Sequence, residues 1–397
     1  MAIGSRLAGS GGRVAFSGRL SAEVRAFQGQ LFDQRSVPNR ILVIALGLLV
    51  GAACVLDVPE LRLYWPTGID LEIPLRAASH WASGGQAYPA SAMLVRSGPD
   101  LPFLYPPYLL PLLAPIAALP RDIVTGVWLV SCFLCAVWTC RRLAIPWLAI
   151  AFVLAWPPFA EGLITGNVQI WSFAAFVALL YVPVNGVLRQ RPIPSRDARD
   201  GIAAVAVGAL KVTQLLPVLY LARRRVRAAA IGVGALAALV LVTLPLTGLA
   251  IYGDWLAQLQ RAADPAWTVG GVAIGRSIGI PDVAFEVVGV ALALSVRGRD
   301  SAAWLGIALL IATPSVHGYT FLFLLPGLLT IRRDIAIPIA ALFIGVYHAE
   351  AWWLAAALVT GSLVAMQRWP WLRVAEPDAG EPALSRQPEP NPVPTTS

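Results

Sequence analysis

A polar segment, residues 66–90, follows the first apolar stretch of the sequence and carries groups that could do proton chemistry. Asp70 lies in a Gly-Ile-Asp turn within this segment, and Glu72 follows two residues later. Asp70 is a candidate catalytic residue, because a carboxylate can take a proton from an attacking hydroxyl. The alternative is that Asp70 is a solvated loop acid or a local helix cap, and the spacing leaves both interpretations open.

Lys211 is the only lysine in the sequence, and it lies within the apolar run ALKVTQ. An ionisable group in a membrane segment is costly and by default indicates a function. The alternative is that Lys211 lies near a helix end and extends its ammonium to the membrane interface. His317 ends another apolar run, residues 302–316, where it is either functional or an interface residue that only makes hydrogen bonds.

The residues that follow Asp70 predict a short amphipathic helix. Pro74 is suited to the first turn of a helix, and Gly84 and Gly85 are suited to its end. Arg76 falls on the polar face of this helix, away from the apolar face. We therefore expect the helix to lie along the membrane surface.

The composition indicates a polytopic membrane protein. Hydrophobic residues make up 57% of the 397 residues and charged residues 13%, whereas about 25% of the residues in soluble domains are charged. The formal net charge of +8 is concentrated in short arginine clusters between apolar runs, which is typical of cytoplasmic loops. The sequence lacks the interleaved aromatic and basic residues of a nucleic-acid surface, so no nucleic-acid partner is expected.

The apolar runs predict an all-α membrane domain over residues 41–373. A polar N-terminal extension, residues 1–40, and a Pro- and Glu-rich disordered tail, residues 374–397, are both expected in the cytosol. Residues 101–120 are rich in proline and predict a broken or re-entrant segment. Residues 201–222 carry polar groups at their centre and predict a broken helical hairpin. The remaining segments predict about 10–12 spans in total, at 41–57, 123–140, 143–160, 168–184, 228–250, 282–297, 302–316, 319–331, 335–348 and 351–367.

Several motifs form an ordered set along the chain. They are Asp70 with RAASHWASGGQAY, Tyr105-Pro106-Pro107 with its Pro-rich continuation, Gly166-Asn167-Val168-Gln169, ALKVTQLLPVLYLARRRVRA, and the Thr313-Pro314 turn with His317 and Tyr319. In order, spacing and expected sidedness, this set resembles glycosyltransferase family 87. That family contains the polyprenyl-phosphate-dependent mannosyl- and arabinosyltransferases of the C-type membrane glycosyltransferase superfamily. The resemblance covers about residues 61–326.

The resemblance implies both a fold and a reaction. The fold is the C-type glycosyltransferase fold, with short surface helices in the first outer loop. The reaction moves a sugar, with mannose as the first candidate, from a polyprenyl phosphate to a hydroxyl of a lipid or glycan acceptor, with inversion at the anomeric carbon. The active site is expected on the outer, periplasmic face of the plasma (inner) membrane, where membrane lipids are further partners.

The resemblance also implies roles for individual residues. Asp70 is the expected base, and His317 is a second catalytic candidate that could hydrogen-bond the phosphate or the sugar. The leaving polyprenyl phosphate gains negative charge, which fixed cations stabilise. No cofactor is expected, and a metal ion is less needed than in nucleotide-sugar enzymes because the leaving group is a monophosphate, although Asp70 and Glu72 could bind one. The candidates for binding the donor phosphate and the substrates are Lys211, Arg276, Arg76, Tyr105, Asn167 and Gln169.

Two other functions remain open at this stage. A polytopic transporter or flippase for a lipid-linked sugar would also have broken helices and an intramembrane lysine. Such a protein is expected to carry paired repeats, which the sequence does not show, and it does not need a catalytic aspartate. An inactive membrane subunit is the other alternative, and it gives no reason for Asp70, Lys211 and Arg276 to occur together.

Overall fold

A computed structural model of the chain describes residues 66–94, 100–145, 147–184, 187–190, 197–262, 280–297, 301–313, 316–330 and 340. These residues are mostly helical. The helices are α1 (Ile69–Ala82), α2 (Leu110–Ala117), α3 (Arg121–Arg142), α4 (Trp147–Ala155), α5 (Pro157–Thr165), α6 (Gln169–Leu180), α7 (Asp197–Gly208), α8 (Leu216–Arg224), α9 (Val226–Thr247), α10 (Ala250–Ala262), α11 (Asp282–Ser295), α12 (Ser301–Ile311) and α13 (Leu325–Thr330). Short 3-10 helices cover Ala90–Leu94, Pro107–Leu109, Val212–Gln214 and Gly318–Leu324.

Helices α3 and α9 are long and apolar enough to cross a membrane. Only 33% of the apolar window of α3 and 17% of that of α9 is buried within the protein. A core helix of a soluble protein would bury most of its apolar surface, so these exposed faces need an apolar surrounding. The exposed side chains include Val127 and Phe133 on α3 and Leu241 and Leu246 on α9.

Helix α1 begins earlier than the sequence predicts. Helix α1 starts five residues before Pro74, so that Asp70 lies in its first turn and Pro74 lies inside the helix. The early start is stabilised by tertiary packing, because Leu71 and Leu75 are buried against Val124 of α3. The helix ends as predicted, just before the glycine pair.

Four predicted membrane segments are interrupted or shortened. The Pro-rich segment is broken into a 3-10 turn and α2, and the segment around Lys211 is broken between α7 and α8, as expected. The predicted span 143–160 is divided into α4 and α5, since Pro157 begins a new helix after Trp156. The predicted span 168–184 ends at Leu180 and continues as strand β1 (Tyr181–Val184), which pairs antiparallel with β2 (Val187–Gln190). This hairpin departs from the all-α prediction.

The core lies between α5, α6 and the 3-10 helix Gly318–Leu324. Phe159 and Phe323 both contact Phe173 edge-on, with ring centroids 5.9 and 6.0 Å apart. Phe323 also contacts Phe176 edge-on at 5.1 Å. Such edge-to-face contacts add to the stabilisation that burial of the rings provides. The core therefore holds α5 and the Gly318–Leu324 helix, which carry site residues described below, in a fixed relation.

Helices α7 and α9 pack closely because each has a glycine at the contact. A Cβ at Gly201 of α7 would lie 2.2 Å from the carbonyl oxygen of Ala228, and a Cβ at Gly232 of α9 would lie 2.6 Å from the carbonyl oxygen of Gly201. Small residues at helix contacts let backbones approach within a membrane. This packing supports the end of α7, which leads into the helix break.

Several predictions fall outside the described residues. These are the extension 1–40, the tail 374–397 and the spans at 41–57, 335–348 and 351–367. The total number of spans and the C-type fold remain predictions for this reason.

Candidate active site

The start of α1 places Asp70 against the end of α5. Gly68 has a left-handed backbone (φ +78°), which a residue without a Cβ adopts at little cost. Its N–H donates a hydrogen bond to the carbonyl oxygen of Ile164 at 2.8 Å. A Cβ at position 68 would also lie 2.7 Å from Cγ2 of Thr125. The glycine therefore lets the first turn of α1 approach both α3 and α5.

The turn between α5 and α6 carries Asn167, a direct partner of Asp70. Gly166 ends α5 in the left-handed conformation (φ +69°). Nδ2 of Asn167 donates a hydrogen bond to Oδ2 of Asp70 at 2.8 Å. Oδ1 of Asn167 accepts the backbone N–H of Gln169 at 2.8 Å, which fixes the orientation of the amide. A donor held in this way favours the ionised form of Asp70.

Lys211 lies at the helix break, immediately before the 3-10 turn Val212–Gln214. Its Nζ lies 4.5 Å from the centroid of the Tyr319 ring, in a cation–π contact. The side-chain amides of Gln169 and Gln214 exchange two hydrogen bonds, of 2.8 and 3.3 Å, which join the break to α6. The charge of Lys211 acts on Asp70 from this position.

His317 shares the aromatic ring that contacts Lys211. The rings of His317 and Tyr319 are stacked, with centroids 5.1 Å apart. The backbone N–H of His317 donates to Oγ1 of Thr320 at 3.2 Å, which helps to begin the Gly318–Leu324 helix. The amide of Asn167 also makes a side-chain hydrogen bond to the hydroxyl of Tyr319. One tyrosine therefore connects three of the predicted site residues.

A second carboxyl group lies beside Asp70. Glu161 of α5 is only 3% exposed. Its carboxyl group accepts hydrogen bonds from the backbone N–H groups of Tyr319 and Gly318, and it interacts electrostatically with Asp70 and Lys211. The site therefore contains two carboxyl groups and one ammonium group.

The exposure of these side chains divides the site into an accessible part and a buried part. The accessible part is half-buried and comprises Asp70, Tyr105, Lys211 and His317. The buried part comprises Glu161, Thr165, Asn167, Gln169 and Gln214. A ligand could contact the groups of the first set, while the second set holds them in place.

Burial controls the protonation of the accessible groups. It raises the pKa of Asp70 above its ordinary value. Hydrogen bonds from Thr165 and Asn167 oppose this rise, and so does the positive charge of Lys211. Burial lowers the pKa of His317 to about 3, with the charge of Lys211 acting in the same direction. The imidazole is therefore neutral near pH 7, and Asp70 has the raised pKa that suits a proton acceptor.

Tyr105 and Gln169 are both near this site but differ in accessibility. The phenol of Tyr105 lies close enough to Asp70 for the charge of the carboxylate to act on it. Gln169 is fully buried, and its amide is occupied by Gln214. Gln169 therefore supports the helix break and does not belong to the accessible part of the site.

Of the two predicted arginines, the structure describes Arg76, and it does not place Arg76 at the site. Arg76 lies on the exposed face of α1, where Nε pairs with Oε1 of Glu72 at 2.9 Å and a terminal nitrogen pairs with Oδ1 of Asp100 at 2.8 Å. Its guanidinium is thus occupied by carboxylates away from Lys211. Arg276 lies outside the described residues.

The arrangement can remove a proton and stabilise an anion. Asp70 is accessible and can accept a proton, while the ammonium of Lys211 can stabilise a developing negative charge. Within the described ranges, no group of three or more His, Cys, Asp or Glu side chains is placed to hold a metal ion. The residues at hand therefore support acid–base and electrostatic chemistry.

The structure adds Glu161 to the site, which the motif analysis did not select, and it gives a place to Tyr319, which the motif set contained without a role. Glu161 did have a signal in the sequence, because it is the one acidic residue in the apolar run WPPFAEGLI. An ionisable group among apolar residues is costly, which is the reason that Lys211 draws attention. The same reason applies to this glutamate. Tyr319 had no comparable signal, since aromatic residues are ordinary in apolar runs.

Comparison with known proteins provides an independent test of the resemblance. The model of glycosyltransferase family 87 matches residues 103–313, which is just over half of the chain. The chain belongs to glycosyltransferase family 87. Membership of family 87 makes it a glycosyltransferase, which uses a sugar donor and an acceptor. Together with the exposed apolar faces of α3 and α9, family 87 membership also supports a membrane protein.

The matched region contains some of the site residues and excludes others. Asn167 and Lys211 lie within it, whereas Asp70 and His317 lie outside it. No curated protein and no solved structure showed significant similarity to the chain.

Proposed function

We propose that this family 87 protein transfers a sugar from a polyprenyl phosphate to a hydroxyl of a lipid or glycan acceptor on the outer side of the membrane. Mannose is the first candidate sugar, and the reaction inverts the anomeric carbon. The observation that carries the proposal is that Asp70 and Lys211, 141 positions apart in the sequence, lie in one half-buried site where the charge of Lys211 acts on Asp70.

The proposed step begins with deprotonation of the acceptor. Asp70 takes the proton of the acceptor hydroxyl as its oxygen forms a bond to the anomeric carbon. The bond between that carbon and the phosphate oxygen breaks, and both of its electrons leave with the polyprenyl phosphate. The proton is then on Asp70, and the negative charge is on the departing phosphate.

Lys211 has the role of stabilising the departing phosphate in this proposal. Its charge is fixed, because Nζ is held against the Tyr319 ring and the adjoining turn is held by the Gln169–Gln214 pair. Fixed charges are effective because they need not reorganise during the reaction. His317, which is neutral, can hydrogen-bond the phosphate or a sugar hydroxyl.

The proposal is tested by transfer assays on Asp70→Asn. Purified protein in nanodiscs is incubated with a panel of polyprenyl-phosphate sugars and membrane lipid extract, and the products are identified by mass spectrometry. The wild-type protein is expected to form a glycosylated product with inverted anomeric configuration. Removal of the base is expected to lower the rate by about 10²–10⁴-fold.

Asp254→Asn is the matched control, since it neutralises an exposed aspartate on α10. It is expected to transfer sugar at the wild-type rate. Full activity of Asp70→Asn would remove Asp70 from the mechanism. If the wild-type protein forms no product but moves a lipid-linked sugar across proteoliposome membranes, a flippase replaces the transferase.

A further inference from the structure

Glu161 is a buried carboxyl group for which the proposed transfer step has no role. It lies on α5, one turn before Thr165, and its carboxyl group accepts the backbone N–H groups of Tyr319 and Gly318. These residues follow His317 directly, so Glu161 contacts the segment that carries His317 and the ring beneath Lys211. A carboxyl oxygen that accepts two backbone N–H groups restrains the position of that segment.

Among the described residues, the titratable groups that face Glu161 come from three other parts of the fold. Asp70 faces it from α1, Lys211 from the helix break, and the Tyr319 phenol from the Gly318–Leu324 helix. If both carboxyls were ionised, one ammonium would have to balance two negative charges. A third negative charge would then arrive with the donor phosphate. A proton retained on one carboxyl relieves this repulsion.

The two carboxyl groups differ in how well the protein supports an ionised form. Asp70 is half-buried and receives a hydrogen bond from Asn167 at 2.8 Å. Glu161 is almost fully buried. The backbone N–H groups of Tyr319 and Gly318 favour its ionised form, but its Oε2 has no hydrogen-bond partner among the described residues. An ionised oxygen without a partner in a buried place is more costly than a neutral acid. The proton is therefore better placed on Glu161.

We infer that Glu161 is a positioning residue that keeps its proton at neutral pH, so that Asp70 is the ionised carboxylate, while it holds the segment bearing His317 and Tyr319. Burial also raises the pKa of Glu161 to about 8, and the charge of Asp70 contributes in the same direction, whereas the charge of Lys211 and the two backbone hydrogen bonds oppose this rise without cancelling it. Glu161 does not exchange its proton with the substrate. The proton of the acceptor goes to Asp70, and Glu161 remains a neutral acid throughout.

The inference rests on the proposed transfer reaction for its functional meaning, but its central statement can be measured without turnover. Infrared spectra at pH 7 are recorded for the wild type, Glu161→Gln, Asp70→Asn and Glu72→Gln. Difference spectra are then examined for the carbonyl band of a protonated carboxyl group. We expect this band to be lost in Glu161→Gln and to persist in Asp70→Asn. Glu72→Gln is the matched control, because Glu72 is a more exposed acid that pairs with Arg76, and its spectrum should retain the band.

The pH profile of sugar transfer gives a second readout. The acid limb of the profile is the pH range in which the transfer rate falls as the pH is lowered. If Glu161 is already neutral, its replacement by a neutral amide leaves this limb at the wild-type pH. If Glu161 were ionised, the replacement would remove a negative charge beside Asp70 and move the acid limb down by about one pH unit. If Glu161 only supported the fold and held no proton, its replacement would change neither the acid limb nor the infrared band of a protonated carboxyl group.

The possible outcomes separate the inference from the proposed function. Absence of transfer by the wild type contradicts the proposed function, whereas the infrared comparison still decides where the proton lies. A band that persists in Glu161→Gln, or a downward shift of its acid limb, overturns the inference. If Glu161→Gln does not fold, the Asp70→Asn spectrum decides, because loss of the band in that variant would place the proton on Asp70.

Discussion

The hydrogen bond between Asn167 and Asp70 should set the pH at which sugar transfer begins. Its donor, Nδ2 of Asn167, lies 2.8 Å from Oδ2 of Asp70 and favours the ionised carboxylate, which opposes the effect of burial on the pKa. In Asn167→Ser the side chain is shortened and this bond is lost. A serine hydroxyl can still accept the backbone N–H of Gln169, because serine and asparagine side chains both make such local hydrogen bonds to the backbone. The substitution therefore removes the donor to Asp70 with little effect on the fold.

The size of the effect follows from the energy of the bond. A hydrogen bond to a charged group contributes about 1.5–3 kcal/mol. Since one pKa unit corresponds to about 1.36 kcal/mol, loss of the bond should raise the pKa of Asp70 by roughly 1–2 units. A raised pKa leaves less of the base ionised at a given pH. The acid limb of the rate profile should therefore move up by about 1–2 pH units.

The assay is the initial rate of sugar transfer in nanodiscs over a range of pH, with melting temperatures measured on the same preparations. On the acid side of the wild-type limb, the rate of Asn167→Ser should be lower by about 10–100-fold. The control is Thr139→Val, which removes a buried hydroxyl that donates within α3, to the carbonyl oxygen of Cys135. Its acid limb should coincide with that of the wild type.

An unmoved acid limb in a folded Asn167→Ser protein would refute this reasoning. A loss of rate that is the same at every pH would instead indicate that Asn167 contacts a substrate directly, as the sequence resemblance suggests. A limb that moves down would mean that Asn167 favours the protonated form of Asp70.

Two further predictions follow from the site and the fold. Lys211→Met keeps a side chain of similar length without the charge, and it should lower the transfer rate by about 10²–10³-fold. The control is Arg227→Met, which removes an exposed cation and should retain the wild-type rate. Equal rates in the two variants would contradict the role of Lys211. Gly201→Ala places a Cβ 2.2 Å from the carbonyl oxygen of Ala228 and should destabilise the protein by about 1–3 kcal/mol. The control is Gly234→Ala, whose added Cβ meets open space on α9 and should be neutral or stabilising by up to about 1 kcal/mol. Similar melting temperatures for the two glycine variants would argue against close packing of α7 and α9.

Local features of the sequence determined much of the helical pattern. The apolar run around residues 123–140 indicated a long membrane helix, and the structure has α3 over nearly the same range. The polar interruption at Lys211 indicated a broken segment, and α7 ends three positions before it. The Gly166-Asn167 motif was expected to open a span, and α6 begins at Gln169. These features depend on hydrophobic period, glycine conformation and proline chemistry, which act over a few residues.

Other local expectations failed where tertiary packing was stronger than a local signal. Pro74 indicated the first turn of a helix, yet burial of Leu71 and Leu75 extends α1 by a further turn ahead of it. The apolar residues after Leu180 were expected to continue a span, yet they pair with Val187–Gln190 as a hairpin. A short apolar run fits either a helix or a strand, so its neighbours decide.

The composition of the site was decided by the tertiary structure. Asp70 and Asn167 are 97 residues apart, and no spacing rule relates them. The same holds for the Gln169–Gln214 pair, in which both side chains are buried. It also holds for Arg76, which pairs with Glu72 on α1 and with Asp100. Sequence marks which residues are chemically unusual, because the cost of a charge among apolar residues is local. Which of them meet, and which oxygen lacks a partner, depends on distances between segments that only the folded chain defines.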